Sequence, residues 1–329
     1  MTRITIPVGA LLTCGLMQSC LYDGIQDCAD FCNQLDVDNH WTLAPEASPE
    51  GMAYFFFPKS GSGSWRFDIP GKDGGNLRLP LGDYAFITIN DDTSVIFEND
   101  KSFSSIVAST LPCDLLSGAA VDLNEARPHR ITDSDQTVVM CPDMLWCDYS
   151  PYVSIGFDEL SYEIVSDGSR ILTSSMMLLP THPRQIVSRY HFIISNVANL
   201  EGVSRMCAAM SGMAADVSLC DLSRSSVGVT LPFAAVRSGE SEISGEFMTF
   251  GLASDKSVRN VLYLFVWLTD GSRHSYEFDV TSQTLAASDP MDVWVRVDSL
   301  DLPLPDDSQE TFDVSVDQWN TVVINIGKG

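Results

Sequence analysis

The chain has 329 residues, of which 45% are hydrophobic, and its formal net charge is −25 at pH 7. This hydrophobic content excludes a wholly disordered chain, and the length is sufficient for two domains of ordinary size. The large excess of acidic residues excludes nucleic-acid binding through neutralisation of phosphates.

The first twenty residues have the pattern of an export signal. Arg3 precedes an apolar run from Ile4 to Met17. A run of about 14 residues is too short to span a bilayer, but it has the length of a signal-peptide core. The run is followed by Ser19-Cys20, with apolar residues three and four positions before the cysteine, and it resembles the bacterial lipobox. The resemblance implies cleavage before Cys20, a diacylglycerol thioether on its sulfur and an acylated new N-terminus.

Two alternatives stay open for this segment. Cys14 is a second candidate, although Thr13 before it is a poorer small residue, and a secreted protein with a spare thiol would need no lipid. We predict a signal peptide over 1–19 and a lipidated tether over 20–34. Two or three acyl chains would hold the protein on a membrane, because each buried methylene contributes about 0.8 kcal/mol.

The cysteines do not form a metal-binding pattern. Of the nine in the sequence, seven remain when Cys14 and Cys20 are set aside, and an odd number leaves at least one free thiol or an intermolecular pair. Their spacing lacks the C-x2-C pairs and partner histidines of zinc sites, so we predict no metal site. One or two disulfides fit the pattern, and several thiols are expected to be small buried hydrophobes. The seven are Cys28, Cys32, Cys113, Cys141, Cys147, Cys207 and Cys220.

From residue 35 onwards, short β segments alternate with turn residues. We predict strands over 52–57, 65–69 and 84–89. In the last of these, both sets of alternating residues are largely apolar, which is expected of a central strand that is buried on both faces.

Two acidic stretches carry the oxygen ligands that calcium prefers. They lie at 36–40 and 90–92, and neither fits the twelve-residue EF-hand loop. Because Asp and Asn at strand ends ordinarily form turns, we predict turns at both places.

A second series of strands begins near residue 167. Asp167-Gly168 separates two apolar runs, and Asp270-Gly271 follows the continuously apolar stretch 261–268; Asp-Gly between such runs is a strong hairpin signal. The stretch 201–217 is compatible with a helix or with a strand and a turn, since its glycines weaken a helix. The scarcity of helix and the frequent turns predict an all-β fold of two tandem antiparallel β-sandwiches, over 35–166 and 167–329.

Several blocks of sequence resemble one family of bacterial lipoproteins. The block DGGNLRLPLGDY is followed by NDDT in the first half, and NVANLEGV is followed by MSGM in the second. These blocks, with the lipobox, resemble the fimbrillin-like lipoproteins related to FimB-type fimbrial anchors. The resemblance implies two transthyretin-like sandwiches on an outer-membrane lipid anchor. The sequence itself does not specify which side of the membrane the protein faces; we expect the cell surface rather than the periplasmic face. The resemblance also implies a role in fimbrial anchoring or assembly and in cell adhesion, with fimbrillin-like subunits or other surface proteins as partners.

The sequence contains no recognisable catalytic motif. No nucleophile elbow, H-E-x-x-H pair or P-loop is present, and the five histidines are scattered. We therefore predict a protein that is not an enzyme and has no cofactor. His191 lies in an alternating strand and is expected to face solvent or to be satisfied by neighbours.

Two features leave the mode of binding open. The C-terminal segment TVVINIGKG is expected either to close the chain's own sheet or to be given to a partner as an extended strand. Some of the tryptophans could instead form a sugar-stacking platform, as in a surface carbohydrate-binding lipoprotein, although core packing is their commoner role. The tryptophans are Trp41, Trp65, Trp146, Trp267, Trp294 and Trp319.

Overall fold

The computed structural model describes residues 32–119, 137–156, 161–164, 170–174, 176–306 and 319–324. Within these residues the fold is all-β with one short α-helix, α1 (Thr281–Leu285), which confirms the predicted fold class. The predicted signal peptide, Cys20 and the Asp167-Gly168 turn lie outside the described residues. The last three residues of the predicted tether, 32–34, already belong to the first strand.

The first half of the chain contains twelve described strands. They are β1 (Cys32–Asn39), β2 (Gly51–Pro58), β3 (Trp65–Pro70), β4 (Gly74–Pro80), β5 (Gly82–Asn90), β6 (Ile96–Glu98), β7 (Val107–Ser109), β8 (Trp146–Ile155), β9 (Ser161–Ile164), β10 (Arg170–Ser174), β11 (Met176–Thr181) and β12 (Arg184–Gln185). The strands predicted over 52–57, 65–69 and 84–89 fall inside β2, β3 and β5 and are confirmed.

A sandwich forms where a three-stranded sheet covers a five-stranded one. The sheets have the orders β11-β1-β4 and β12-β8-β5-β2-β3. Leu35 and Val37 from β1 pack against Tyr54 and Phe56 from β2 in the core between them. The alternate residues of β2 and β5 enter a second core on the other face, so both strands are buried on both sides, as predicted for β5.

The second half contains the other twelve described strands. They are β13 (Ser188–Ile194), β14 (Val197–Ala198), β15 (Val203–Ala214), β16 (Asp216–Ser218), β17 (Gly228–Ala234), β18 (Val236–Arg237), β19 (Ile243–Thr249), β20 (Val261–Leu268), β21 (Arg273–Asp279), β22 (Asp292–Val297), β23 (Leu300–Asp301) and β24 (Asn320–Ile324). The sheets β18-β19-β13-β22 and β17-β15-β20-β21-β24 enclose the largest apolar core among the described residues.

The stretch that was compatible with either a helix or a strand is strand β15. Cys207 and Ala209 enter one apolar cluster, while Ala208 and Met210 enter another, so the strand is buried on both faces. A strand of this kind has no polar side to alternate with the apolar one, and its small residues carry no clear period. Gly212 lies at a positive φ of 77°, at the register shift between Met210 and Met213.

The two halves share a joint built from both parts of the chain. Strand β7 from the first half pairs with β16 from the second, and together with β6 they form a small sheet. Phe250 and Leu219 from the second half enter the same core as Phe55 and Ile87 from the first. The two halves are therefore packed together.

Strand pairing also bears on two details of the predicted architecture. Four pairs of strands are parallel (β1–β11, β13–β22, β14–β23 and β21–β24), while the other pairs of strands are antiparallel.

The predicted boundary placed residues 176–185 in the second domain, but β11 pairs with β1 and β12 pairs with β8. Both strands thus belong to the sheets of the first half.

Candidate functional site

The C-terminal strand is the outermost strand of the second sandwich's larger sheet. β24 lies parallel to β21, with Asn320 opposite His274 and Ile324 opposite Phe278. The chain reaches this position only after a long crossover, since β21 ends at Asp279. Within the described part of the chain no strand other than β21 pairs with β24.

Side-chain burial contributes little to holding β24 in place. Val322 and Val323 are 44% and 60% exposed although they point to opposite faces of the sheet. Ile324 is half-buried against the core of the second half. The hydroxyls of Ser275 and Thr321 lie 2.8 Å apart. The strand is therefore attached mainly by its backbone hydrogen bonds, which depend little on sequence.

Trp319 fixes the start of this strand. Its ring packs edge-on against Phe265, at 5.5 Å between centroids, and against Trp267, at 5.1 Å. Both rings belong to a cluster on the outer face of the sheet, which residues Leu115 and Leu116 of the first half also join. Aromatic pairs of this geometry contribute about 0.5–1.5 kcal/mol beyond the area that they bury.

Two other edges of the second sandwich are protected. Pro232 lies in the outermost strand β17, where it has no N–H to offer a partner, and Val138 bridges to Thr230 on the same edge. At the edge strand β22, the side-chain amide of Gln283 donates to the carbonyl of Arg296 (2.8 Å) and accepts from its N–H (2.9 Å). By comparison, no strand among the described residues covers the outer edge of β24, which is called the open edge below.

Of the two acidic stretches that were predicted to form turns, 90–92 lies where β5 ends and the chain bends, as expected. The prediction is wrong for 36–39, which belong to strand β1 because Leu35 and Val37 are buried in the core. Asn90 donates to Asp92 and to the carbonyl of Met144, and its own oxygen accepts the N–H of Trp146. Asn39 is buried and donates to the Tyr54 hydroxyl at 2.8 Å. Within the described ranges no group of three or more His, Cys, Asp or Glu side chains is arranged to hold a metal ion.

The structure brings together histidines that the sequence keeps apart. The rings of His40 and His182 stack at 5.2 Å between centroids, and His191 stacks on Trp294 at 4.3 Å. Burial lowers the pKa of His274, against the raising effect of Asp270. Sequence spacing carries no signal for either stack, because each joins residues more than 100 positions apart. The fifth histidine, His129, lies outside the described residues.

The cysteines with described side chains are free thiols. Cys147 and Cys207 are completely buried, as expected of small hydrophobes, and burial raises the pKa of the Cys207 thiol to about 12. Burial likewise raises the pKa of Cys141 to about 12, with a further rise from Cys113. These thiols are poor nucleophiles near neutral pH.

Most tryptophans serve packing. Trp41 meets Trp146 edge-on at 6.1 Å between ring centroids. Trp65 and Trp294 are the exposed tryptophans among the described residues, at 44% and 46% of their surface.

No helix in the described ranges has both the length and the apolar character needed to cross a membrane.

Comparison with known proteins relates the chain to fimbrial proteins. "Putative fimbrium anchoring subunit Fim4B" of Bacteroides ovatus is 23% identical over 180 residues, which make up 54% of this chain and 45% of that protein. The chain thus spans less than half the length of this relative. A crystal structure of "a putative adhesin" from Bacteroides ovatus has a TM-score of 0.58 at 18% identity and covers 84% of this chain and 96% of its own. The fimbrial anchor protein Mfa2 from Porphyromonas gingivalis has a TM-score of 0.47 at 13% identity, covering 81% of this chain and 90% of that one.

The similarity to the fimbrium anchoring subunit confirms the resemblance that the sequence blocks indicated. At such low identity the adhesin structure bears on the fold alone. The family model described as a domain of unknown function, DUF5119, matches residues 22–234, and the chain belongs to that family.

Proposed function

We propose that this protein is a lipid-anchored component of the bacterial cell surface that anchors or assembles fimbriae and takes part in adhesion. Its role is to bind other proteins through β-strand contacts rather than to catalyse a reaction. The relative named as a fimbrium anchoring subunit supports this role. The partner would be a fimbrillin-like subunit or another surface protein that offers an extended strand.

The open edge at β24 is the observation that carries this proposal. Neighbouring edges are closed by Pro232 and Gln283, whereas β24 presents a backbone edge flanked by Val322 and Val323. A partner strand that pairs along this edge gains main-chain hydrogen bonds, and the two valines offer apolar contacts on both faces. A sheet edge of this kind is otherwise an aggregation hazard, which a permanent partner would remove.

The proposed anchor is the acylated Cys20, which would place the protein in the outer membrane with its sandwiches at the cell surface. Only residues 21–31 separate this cysteine from β1. We also propose that the chain works as two sandwich domains that divide after Gln185, because β11 and β12 pair with strands of the first half.

Replacement of the edge valines tests the proposed contact. Lysine guards a sheet edge against strand addition, so we expect V322K/V323K to lose capture of a fimbrillin-like subunit from native outer membrane. V322T/V323T is the matched control, since threonine keeps the strand preference without the charge. Capture that is equal in both variants, with folding unchanged, would exclude the β24 edge as the binding site.

Membrane fractionation tests the anchor separately. C20A should move the protein from the membrane fraction to the soluble fraction, while C28A, a change in the same predicted tether, should leave it in the membrane. Membrane retention of C20A would refute lipid attachment at that residue.

A further inference from the structure

A groove crosses the outer face of the smaller sheet of the second sandwich. It has a volume of about 390 Å³, which lies within the range of small-molecule sites. Ile193 and Val236 are among its apolar lining residues, and Glu242, Ser244 and Glu246 are polar ones. The groove is therefore apolar over part of its surface and offers hydrogen-bonding groups beside it.

Two stacked rings border this groove. Strand register places Glu246, His191 and Trp294 in one row across β19, β13 and β22. The rings of His191 and Trp294 lie 4.3 Å apart with an angle of 14° between their planes. His191 covers one face of the indole, and 46% of Trp294 is nevertheless exposed. The indole is thus held in one orientation and still offers aromatic surface.

The histidine is held from both sides. Its Nε2 lies 3.0 Å from a carboxylate oxygen of Asp292, and its Nδ1 lies 3.6 Å from one of Glu246. The guanidinium of Arg296 lies over part of the Trp294 ring, 5.4 Å from its centroid, so the surface of the indole that stays exposed lies beside a hydrogen-bond donor. The rings are therefore positioned before any ligand arrives, which lowers the entropic cost of binding.

The same edge is closed to an added strand. The amide of Gln283 occupies both the N–H and the carbonyl of Arg296, two residues beyond Trp294 on β22. The exposed indole is therefore suited to a small ligand rather than to an added strand.

The charges around the groove come close to balance. Glu242, Glu246 and Asp292 supply three carboxylates, and Arg296 supplies a guanidinium beside the indole. Arg189 stands opposite Asp292 in the parallel register of β13 and β22. Both donors and acceptors are thus available, without the excess of one sign that a charged ligand would require.

We propose that this groove binds a neutral sugar unit of a glycan. The C–H face of a pyranose ring packs on an exposed indole, and its neighbouring hydroxyls donate to carboxylates and accept from a guanidinium. Trp294 supplies the aromatic surface, Glu246 accepts hydroxyl protons and Arg296 donates. His191, which is held between the carboxylates of Asp292 and Glu246, is a positioning residue that keeps the indole in one orientation. The inference is independent of the proposed strand contact, because the groove lies on the other sheet of the second sandwich.

Titration of the full-length protein with neutral mono- and disaccharides tests this site. We expect W294A to weaken binding by about tenfold or more and E246Q to weaken it several-fold. W65A is the matched control, since Trp65 is equally exposed but lies on β3 in the other half; it should leave affinity within about twofold. The variants should keep the wild-type circular dichroism spectrum and melting temperature.

Hydrogen exchange on the wild-type protein provides a second measurement, in case W294A does not fold. A bound sugar should slow exchange in residues 189–193, 244–246 and 292–296 and leave β3 unchanged. The proposal is overturned if no neutral saccharide binds up to about 10 mM. It is also overturned if binding is limited to charged ligands, or if W65A weakens binding as much as W294A does.

Discussion

Trp319 packs edge-on against Trp267 with their ring centroids 5.1 Å apart and their planes at 78°. This contact joins the start of the outermost strand to an apolar cluster on the sheet's outer face. Beyond it, β24 exposes Val322 and Val323 and relies on its backbone hydrogen bonds. The aromatic contact is therefore the main side-chain attachment of the proposed binding edge.

We expect W319A to loosen β24 without unfolding the sandwich. Removal of a fully buried tryptophan costs about 3–5 kcal/mol; Trp319 is only half-buried, so a loss of about 2 kcal/mol in local stability is expected. Hydrogen exchange of residues 320–324 should accelerate, while β20 stays protected. V323A is the control and should change stability by less than about 0.5 kcal/mol, because its side chain is exposed. Unchanged exchange in W319A would contradict the anchoring role.

Q283M should open the β22 edge. The side chain keeps its length but loses both hydrogen bonds to Arg296, which together are worth about 1–2 kcal/mol. An uncovered edge pairs with other chains, so we expect a lower melting temperature and concentration-dependent association by size-exclusion chromatography. L285A, an exposed change on the same helix, leaves both bonds intact and should remain monodisperse. Equal association of the two variants would show that Gln283 does not guard this edge.

The strands could be predicted where local chemistry decides them. The hairpin of β20 and β21 follows from one apolar run, an Asp-Gly turn and an alternating run, and the structure has it. Strand β15 was left open because both of its faces are buried, which removes the alternation that identifies a strand. Parallel partners were also missed, since β1 and β11 lie about 140 residues apart and no local pattern specifies which strand a crossover reaches.

The candidate binding sites likewise depend partly on local sequence, which could be predicted, and partly on the arrangement of the sheets, which could not. The C-terminal strand was predicted as either a closing strand or a donated one, and its position at an open edge depends on the whole sheet order. The exposed Trp294 could not be separated from the packed tryptophans, because exposure depends on β22 being an edge strand. Its stack with His191 joins residues 103 positions apart, so only the parallel register of β13 and β22 brings them together.

G74A should destabilise the first sandwich strongly. Gly74 has a φ of 99°, and a Cβ built there would overlap the carbonyl oxygen of Val37 on the neighbouring strand. Gly61 has a φ of 117° with nothing near its Cβ position, so G61A carries only the backbone strain of about 1–3 kcal/mol. The difference in free energy of unfolding between the two variants measures the overlap alone. We expect G74A to cost at least about 2 kcal/mol more, or to give no folded protein, and equal values would contradict the close approach of β1 and β4.

Alkaline pH should destabilise the protein because buried groups keep their protons in the folded state. Burial raises the pKa of Cys207 from 9.0 to about 12, opposed by Arg205, and burial raises the pKa of Tyr276 from 10.0 to about 12. Above pH 9 the unfolded chain releases the thiol proton while the folded chain retains it. The contribution of the protonated thiol to the free energy of unfolding is therefore complete below pH 9 and is lost as the pH rises towards 12.

Chemical denaturation between pH 8 and pH 11 measures this effect. We expect C207A to flatten the decline of the unfolding free energy, by about 2–3 kcal/mol over this interval. V229A, a packing loss in the same sheet with no titrating group, should lower the whole curve without changing its slope. If C207A does not change the slope of unfolding free energy against pH, the Cys207 thiol titrates equally in the folded and unfolded states. That result would contradict its complete burial between β17 and β20.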